Sequence, residues 1–443
     1  MEKIAIVGGG LAGSLISVYL AKRGFDIHVF EKRPDMRSNK ISAGRSINLA
    51  LSERGINALK KVGLDTQVLN TGIAMTGRMM HDLKGQLTYQ PYGKDDQAIY
   101  SVSRGLLNVK LLELADELPN IHLNFNAQCT DANLEEGKVY FKDEKGAVTA
   151  FQADRVIGSD GAFSAIRYEM QTKGKFNYSQ EFLEHGYKEL TIPPTSDGNF
   201  RMDKNCLHIW PRESFMLIAL PNIDGSFTCT LFFQLEGALS FESIHTPQLL
   251  HDFFDTYFAD VKPLIDDLEH DFFNNPTGKL CTIRCFPWVA GKTTLLGDAA
   301  HAVVPFYGQG MNCSFEDCVV FDEMLEKYYP NWEKVYDEYQ KSRKPNADAI
   351  AALALQNFTE MRDLVGDKDF LHFKHVEHDL CELYPGIFRS QYQLVTFSNE
   401  PYAYAMEQGS RNSEMVNQLI KLGLEDQLSN RETIQPFFDE YLK

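Results

Sequence analysis

No run in this 443-residue sequence is long and apolar enough to cross a membrane as a helix. Spanning takes about 20 mostly apolar residues, and the best candidate, ADAIAALALQ from Ala347, is roughly half that length. The opening MEKIAIVGGG also lacks a signal-peptide pattern and is expected to enter a strand at once. Positive charge is scarce: 44 Lys and Arg against 61 Asp and Glu leave a net charge of -17. That balance argues against binding nucleic acid or an anionic membrane through a general positive field, while leaving room for a local basic pocket. The eight cysteines show no CxxC pairing and fit reduced thiols of a soluble cytoplasmic protein better than a disulfide framework. No GxSxG nucleophile elbow occurs. Chemistry carried by a cofactor suits that absence. Internal repeats and low-complexity segments are missing as well.

What is present is ordinary globular material, 44% hydrophobic and 12% aromatic, in a chain long enough for two or three interleaved domains. Lys3 to Val7 reads as a strand, SLISVYLAKRG as a helix ending at Gly24, and DIHVFEKR as a second strand, giving a β-α-β opening. Turn signals and charge fill Arg33 to Gly44. SRGLLNVKLLELADEL from Ser103 is expected to be helical, followed by a strand series with a hairpin near Glu144 to Gly146. From about Phe176 to Arg284 alternating strands predict a mostly antiparallel sheet, with TPQLLHDFFDTYF as a helix. Beyond Pro345 the pattern is helical.

Gly8, Gly10 and Gly13 form a GxGxxG between strand and helix. The first permits a tight turn, the second lets a pyrophosphate approach the backbone, and the third allows close helix packing. Glu31 ends the second strand, where a carboxylate can accept ribose hydroxyls. The GKT of AGKTTLLGD is not a P-loop, because the position five before Gly291 holds Phe286 rather than glycine. Gly291-Lys292 reads as a hairpin turn instead. His372, His375, His378 and Cys381 recur every three residues, but the spacing is not that of a zinc site, and they are expected on a solvated helix face. Cys281, Cys285, Cys313 and Cys318 read as core thiols, and no metal is expected.

Two later segments, RVIGSDGAFSAIR from Arg155 and LLGDAAHAVVPFYGQGMN from Leu295, resemble the Asp-Gly and Gly-Asp motifs of the flavoprotein aromatic hydroxylases (group A FAD-dependent monooxygenases). The resemblance implies an α/β aromatic-hydroxylase fold. A Rossmann-like FAD-binding domain (1–70, 100–175 and 285–345) is interleaved with a mostly antiparallel substrate domain (71–99 and 176–284). A C-terminal helical region (346–443) follows. It also implies FAD held by Gly8, Gly10, Leu11, Gly13, Glu31, Lys32, Arg33, Arg45, Leu51, Arg104, Cys129, Asp298, Gly310, Met311 and Asn312. Asp298 would bind ribityl or ribose hydroxyls, GQGMN would offer N–H groups to the flavin ring, Arg104 would meet the pyrophosphate, and Cys129 would act through its backbone near the adenine.

The blocks GRSINLALSERG, GRMMH, QPYGKDD, HGYKEL, LHIWPR, PTGKL, VPFYGQGMN, QNFTEM and VTFSNEPYAYAM are similar to those of the kynurenine 3-monooxygenase family over nearly the whole chain. This narrower resemblance implies L-kynurenine as small-molecule substrate, NADPH as transient co-substrate and O2 as oxidant, with oxygen transferred from a flavin C4a-hydroperoxide. Arg78 would pair with the substrate carboxylate as a planar fork. Tyr92 and Asn357 would add hydrogen bonds, and Tyr402 would close the site. Leu207, Met216, Ile218, Phe232 and Met361 would form the apolar wall, with Pro305, Phe306 and Tyr307 beside the flavin. Tyr307 departs from the histidine expected after VPF in bacterial relatives, which puts a proton relay there in doubt. The C-terminal LEDQLSNRETIQPFFDEYLK is too polar for the anchor of eukaryotic relatives. Two rival readings stay open at this point: a same-fold hydroxylase of another aromatic or polyketide, and a flavin-bound redox-sensing interaction protein. Oligomeric state is open too, with a homodimer among the options.

Overall fold

The strand Lys3–Val7 (KIAIV) is buried along almost its whole length because parallel strands flank it on both edges, Asp26–Phe30 on one and Arg155–Gly158 on the other. The computed structural model describes residues 1–38, 48–93, 97–361 and 368–442. Ile121–Asn124 extends the sheet beyond Asp26–Phe30, and Thr293–Leu295 extends it beyond Arg155–Gly158, all in parallel. Such a sheet needs cover on both faces. The helix Leu11–Lys22, buried from Gly13 to Ala21, and the helix Gly310–Tyr328 that packs on it supply part of that cover. A three-stranded meander (Gln128–Asn133, Lys138–Lys142, Val148–Gln152) supplies more, with Phe30 stacked on Phe141 at 3.8 Å. The hairpin expected near Glu144 to Gly146 joins the last two of these strands. The turn expected at Gly291-Lys292 joins Val289–Ala290 to Thr293–Leu295, with Gly291 at φ +55°.

The chain divides into two compact units. The first comprises Met1–Ile73, Tyr100–Leu183 and Lys279–Ala351, and the second Ala74–Ile99, Glu184–Gly278 and Ala352–Lys443. Beyond Pro345 the chain is helical as expected, and the first of these helices begins earlier: Pro345 lies inside the continuous helix Trp332–Thr359. A proline removes one helical hydrogen bond, and buried residues before it, Val335, Tyr336 and Tyr339, and after it, Ala347, Ile350 and Leu353, hold the helix on both sides of that defect.

Within the second unit the strands run in the order Asn177–Ile192 (from Glu184 onward), Phe227–Gln234, Phe215–Pro221, Cys206–Arg212, Gly77–His81, Leu87–Pro91. All neighbours are antiparallel except Cys206–Arg212 with Gly77–His81. One face, carrying Trp210, Leu217, Leu231 and Phe233, is sealed by the helices Pro247–Tyr257 and Leu268–Asn274 through Leu250, Phe253, Phe254 and Phe272. The C-terminal helices have their own core, including Leu380, Met415, Leu419 and Phe438. On the helix Lys368–Leu383, His372, His375 and His378 are exposed while Cys381 is buried. The histidines lie on the solvated face expected of them, whereas Cys381, expected beside them, turns into the core of the C-terminal helices.

Candidate cofactor cleft and substrate-binding face

In the first unit, the glycine motifs meet where no side chain could fit. Gly8 has φ +104°, and a Cβ there would lie 2.5 Å from the Ser159 carbonyl oxygen, bringing the first turn against the Ser-Asp-Gly segment. A Cβ on Gly13 would overlap the Gly8 carbonyl oxygen. Gly10 differs: its φ is an ordinary -74°, and a Cβ would meet nothing within 4 Å. The second glycine therefore faces open space, which is the cradle a pyrophosphate would fill. The helix behind it has no side-chain N-cap, and neither does Gly310–Tyr328. Both first turns thus keep N–H groups without intrahelical partners. Gly297, at φ +65°, brings the Gly-Asp turn between them, its Cβ position 3.3 Å from Ala12 and 3.2 Å from Ser314.

The polar candidates fall around this convergence. Asp298 is solvent-accessible and also desolvated enough that its carboxyl is raised, against the opposing charges of Arg104 and His301. Both hold if it lines a recess rather than a convex surface. Arg104 is exposed at the start of its helix, next to the Ser103 cap. Glu31 accepts the Gly9 N–H at 2.9 Å and both the N–H and the guanidinium of Arg33 at 3.0 and 2.8 Å. Burial would raise its carboxyl, but Arg33 and these N–H groups outweigh burial and hold it below the ordinary carboxylate value. Lys32 is exposed. Asn312 is fully buried, accepting the Ser52 N–H and donating to the Ala50 and Gly308 carbonyls. Its side chain fastens neighbouring backbone, and only its own N–H is left for a ligand. Leu51 is likewise wholly buried, which leaves it a backbone role alone. Cys129 is half-buried, and burial with nearby Asp160 pushes its thiol up to about 12. Phe306 and Tyr307 are buried in a short turn whose Pro305 is exposed. Arg45 lies outside the described residues. Two uncapped helix starts, a glycine cradle, a recessed carboxylate and an exposed arginine fit a dinucleotide such as FAD.

In the second unit, sheet register gathers the substrate candidates. Arg78 pairs with Leu207, Ile209 with Ile218, Pro211 with Met216, and Met216 with Phe232. Registered partners share a face and residues two apart on a strand return to it. Arg78, Leu207, Met216, Ile218 and Phe232 therefore all lie on one face, opposite the sealed one. Helical residues of the same unit cover this face, with Phe358 against His185 at 5.1 Å. The Arg78 guanidinium sits 4.8 Å from the Tyr392 ring and 5.7 Å from that of Tyr92, and the two rings stack at 5.3 Å. Tyr392 is held there by a capping box in which Ser390 and Gln393 satisfy each other's backbone N–H. Burial pushes the Tyr92 hydroxyl well above its ordinary value, Tyr392 adds to the rise, and Arg78 opposes it. Asn357 is buried and donates to the Met361 sulfur at 3.2 Å, a weak acceptor that a carboxylate would displace. Met361 and Tyr402 are buried.

A family model described as FAD binding domain matches residues 1–354. The kynurenine 3-monooxygenase of Myxococcus xanthus is 49% identical, covering 94% of this chain and 90% of its own. That of Christiangramia forsetii is 46% identical over 97% of both. This chain belongs to the kynurenine 3-monooxygenase family. The solved tetrameric form of 2-methyl-3-hydroxypyridine-5-carboxylic acid oxygenase matches with a TM-score of 0.66 at 19% identity, covering 84% of this chain and 95% of that one. At that identity the likeness is one of fold alone. Neither rival reading is favoured by these matches.

Two parts of this kynurenine 3-monooxygenase family member escape a reading of the sequence. Tyr392 lies just before a family block, yet only the fold stacks it under Arg78. Lys374, paired with Glu377 at 2.9 Å, lies close enough for its charge and that of Arg78 to repel. The other part is a buried ionic network under the Gly-Asp turn. Asp317, with no exposed surface, accepts the Gly297 N–H at 3.0 Å, His301 Nε2 at 2.6 Å and Arg343 Nε at 2.7 Å. Arg343 also donates to Glu316 and to the Cys313 carbonyl, and Arg54 donates to Glu316 at 2.5 Å. Burial alone would lower the His301 imidazole, but Asp317 and Cys313 outweigh it and hold it well above its ordinary value. Burial would raise Asp317, and His301 with Arg343 hold it down instead. Nothing in the spacing links residues as distant in sequence as Asp317 and Arg343.

Proposed function

We propose that this chain hydroxylates L-kynurenine on the ring carbon ortho to its amino group. One atom of O2 enters 3-hydroxykynurenine, the other leaves as water, and NADPH with a proton supplies the two electrons and two hydrogens. The observation that carries this reading is identity of 46–49% to kynurenine 3-monooxygenases along nearly the whole chain. FAD, when bound, supplies the redox chemistry and the activation of dioxygen.

The chain's own residues have narrower tasks. The N–H groups at the starts of Leu11–Lys22 and Gly310–Tyr328 bind the cofactor's phosphates and ring edge, Arg104 adds positive charge, and Asp298 with Glu31 accepts its hydroxyls. Arg78 binds the substrate carboxylate with two parallel hydrogen bonds, its plane kept in place by the rings of Tyr92 and Tyr392. Asn357 exchanges its weak sulfur acceptor for that carboxylate. Leu207, Met216, Ile218 and Phe232 offer the aromatic ring an apolar surface that excludes water. Pro305, Phe306 and Tyr307 would flank the cofactor when it is bound. Among the described residues no helix is long and apolar enough to cross a membrane. All eight cysteines are free thiols, which supports a reducing compartment such as the cytoplasm.

The test is NADPH oxidation with and without L-kynurenine, with the product identified by mass. Substrate-stimulated oxidation and a product gaining one oxygen atom are expected. Unstimulated oxidation with no oxygenated product would sink the proposal. Arg78→Ala should raise the KM for L-kynurenine by roughly 10- to 100-fold, the worth of a lost charged hydrogen bond, and keep its yellow flavin. Loss of flavin would show that Arg78 serves the cofactor instead.

A further inference from the structure

We propose that Asp26, His28 and His122 form a binding site for one divalent transition metal of the zinc class, on the sheet of the first unit and apart from the residues assigned above. Sheet register builds it. Asp26 and His28 are two residues apart on one strand and so share a face, and His122 is the registered partner of His28 on the neighbouring parallel strand. The two imidazoles stack at 4.4 Å, 28° from parallel. Both present Nε2 to the same carboxylate: His122 lies 3.0 Å from Asp26 Oδ1 and His28 3.4 Å from Oδ2.

These distances suit a metal. Zinc bonds to nitrogen and oxygen of about 2.0–2.1 Å put tetrahedral ligands roughly 3.4 Å apart. Two edges of the ligand triangle already stand near that length. All three ligand atoms lie within 4.8 Å of one another, so rotation of the ring ends closes the third edge without moving backbone. Two imidazoles and one carboxylate select late first-row divalent ions over calcium or magnesium. The side chain of His122 is 49% exposed while that of His28 is 18%, which opens one side to solvent for entry and for a water ligand.

A second cluster shows what the first has that it lacks. The ligand atoms of His301, Cys313 and Asp317 lie within the same distance of one another. There the Arg343 guanidinium stands 2.7 Å from Asp317 and 3.3 Å from the Cys313 sulfur, so a cation of the protein's own fills the place of a metal. Among the described residues no cation is hydrogen-bonded between Asp26 and the two histidines, whose Nε2 atoms face the carboxylate directly; Lys3, the registered neighbour of Asp26, lies near enough for its charge to reach His28 but donates to no ligand atom of the three. A metal here would clip Ile121–Asn124, an edge strand of the sheet, to the strand that leads into Glu31.

The FAD-loaded protein, stripped with a chelator and dialysed against zinc chloride, should hold one more zinc per chain than its His122→Ala variant, by elemental analysis. Zinc should raise the unfolding temperature of the parent protein and leave that of His122→Ala unchanged. His122 is half-exposed, so this variant should fold and keep its flavin spectrum. Asp26→Asn gives a second, nearly isosteric test with the same expected loss. His375→Ala, which removes an exposed imidazole from the helix Lys368–Leu383, should bind as the parent does. Equal zinc content in parent, His122→Ala and Asp26→Asn, or a loss confined to His375→Ala, would overturn the proposal.

Discussion

Replacing Arg343 by methionine should destabilise the first unit more than any surface change. The side chain is 2% exposed and its two partners, Asp317 and Glu316, are 0% and 13% exposed. Removing one member of a buried ion pair leaves the other charge desolvated, at a cost of about 3–5 kcal/mol. Glu316 keeps Arg54 and Asp317 keeps His301, which favours the lower part of that range. For a unit of this size, each kcal/mol moves the unfolding midpoint by about 2–4 °C, so a fall of roughly 6–20 °C is expected. Because Asp317 also fixes the Gly297 N–H, FAD should bind more weakly to the folded variant, as read by titration of apoprotein. The sharper check is the double variant Arg343→Met with Asp317→Asn. It neutralises the carboxylate that Arg343→Met leaves short of a partner, so its loss should be smaller than the sum of the two single-variant losses. A single-variant shift below about 2 °C, or losses that simply add in the double variant, would refute the idea that uncompensated charge sets the cost.

The raised His301 imidazole gives a pH dependence. A folded value above the unfolded one of about 6.5 contributes fully below that pH, and the contribution is lost as pH rises through the folded value. Its surroundings are Asp317, Cys313 and the Trp288 ring, with Arg343 behind Asp317. Denaturant unfolding should show stability declining from neutrality upward, with a flatter profile in His301→Gln; parallel profiles would contradict this. Gly10→Ala should fold and lose FAD affinity, because its Cβ enters open space where the phosphates belong. Gly13→Ala should yield little folded protein, because its Cβ would collide with the Gly8 carbonyl; circular dichroism and flavin retention separate the two. Tyr392→Ala should raise the KM for L-kynurenine several-fold while Tyr392→Phe should not, since a cation over an aromatic face contributes about 0.5–2 kcal/mol and phenylalanine keeps the face.

Local signals carried the cofactor half of this protein a long way. GxGxxG between a strand and a helix, the Ser-Asp-Gly segment and the Gly-Asp turn each depend on backbone conformations that glycine alone permits, so the residues themselves announce where the chain bends and what can approach it. The strands around LHIWPR and SFMLIALPN were legible as short apolar runs bounded by turn residues, and they are buried at nearly every position because the sheet is covered on both faces. That the helix Trp332–Thr359 runs on through Pro345 was not legible, because a proline is a local signal that tertiary burial of the surrounding helix overrides.

Sequence alone could not supply the pairings between distant segments. Placing Arg78 beside Leu207, or His28 beside His122, depends on the register of strands far apart in the chain, and a slip of one residue would send every one of these side chains to the opposite face. The union of Asp317, His301 and Arg343 likewise exists only because two helices and a turn pack together, where the low polarity of the interior makes each charge depend on the others. Residue types and spacings determined that this chain holds a dinucleotide and resembles the flavin hydroxylases. Tertiary structure decided which side chains share a face, which are spent on holding backbone, and which remain open to a ligand.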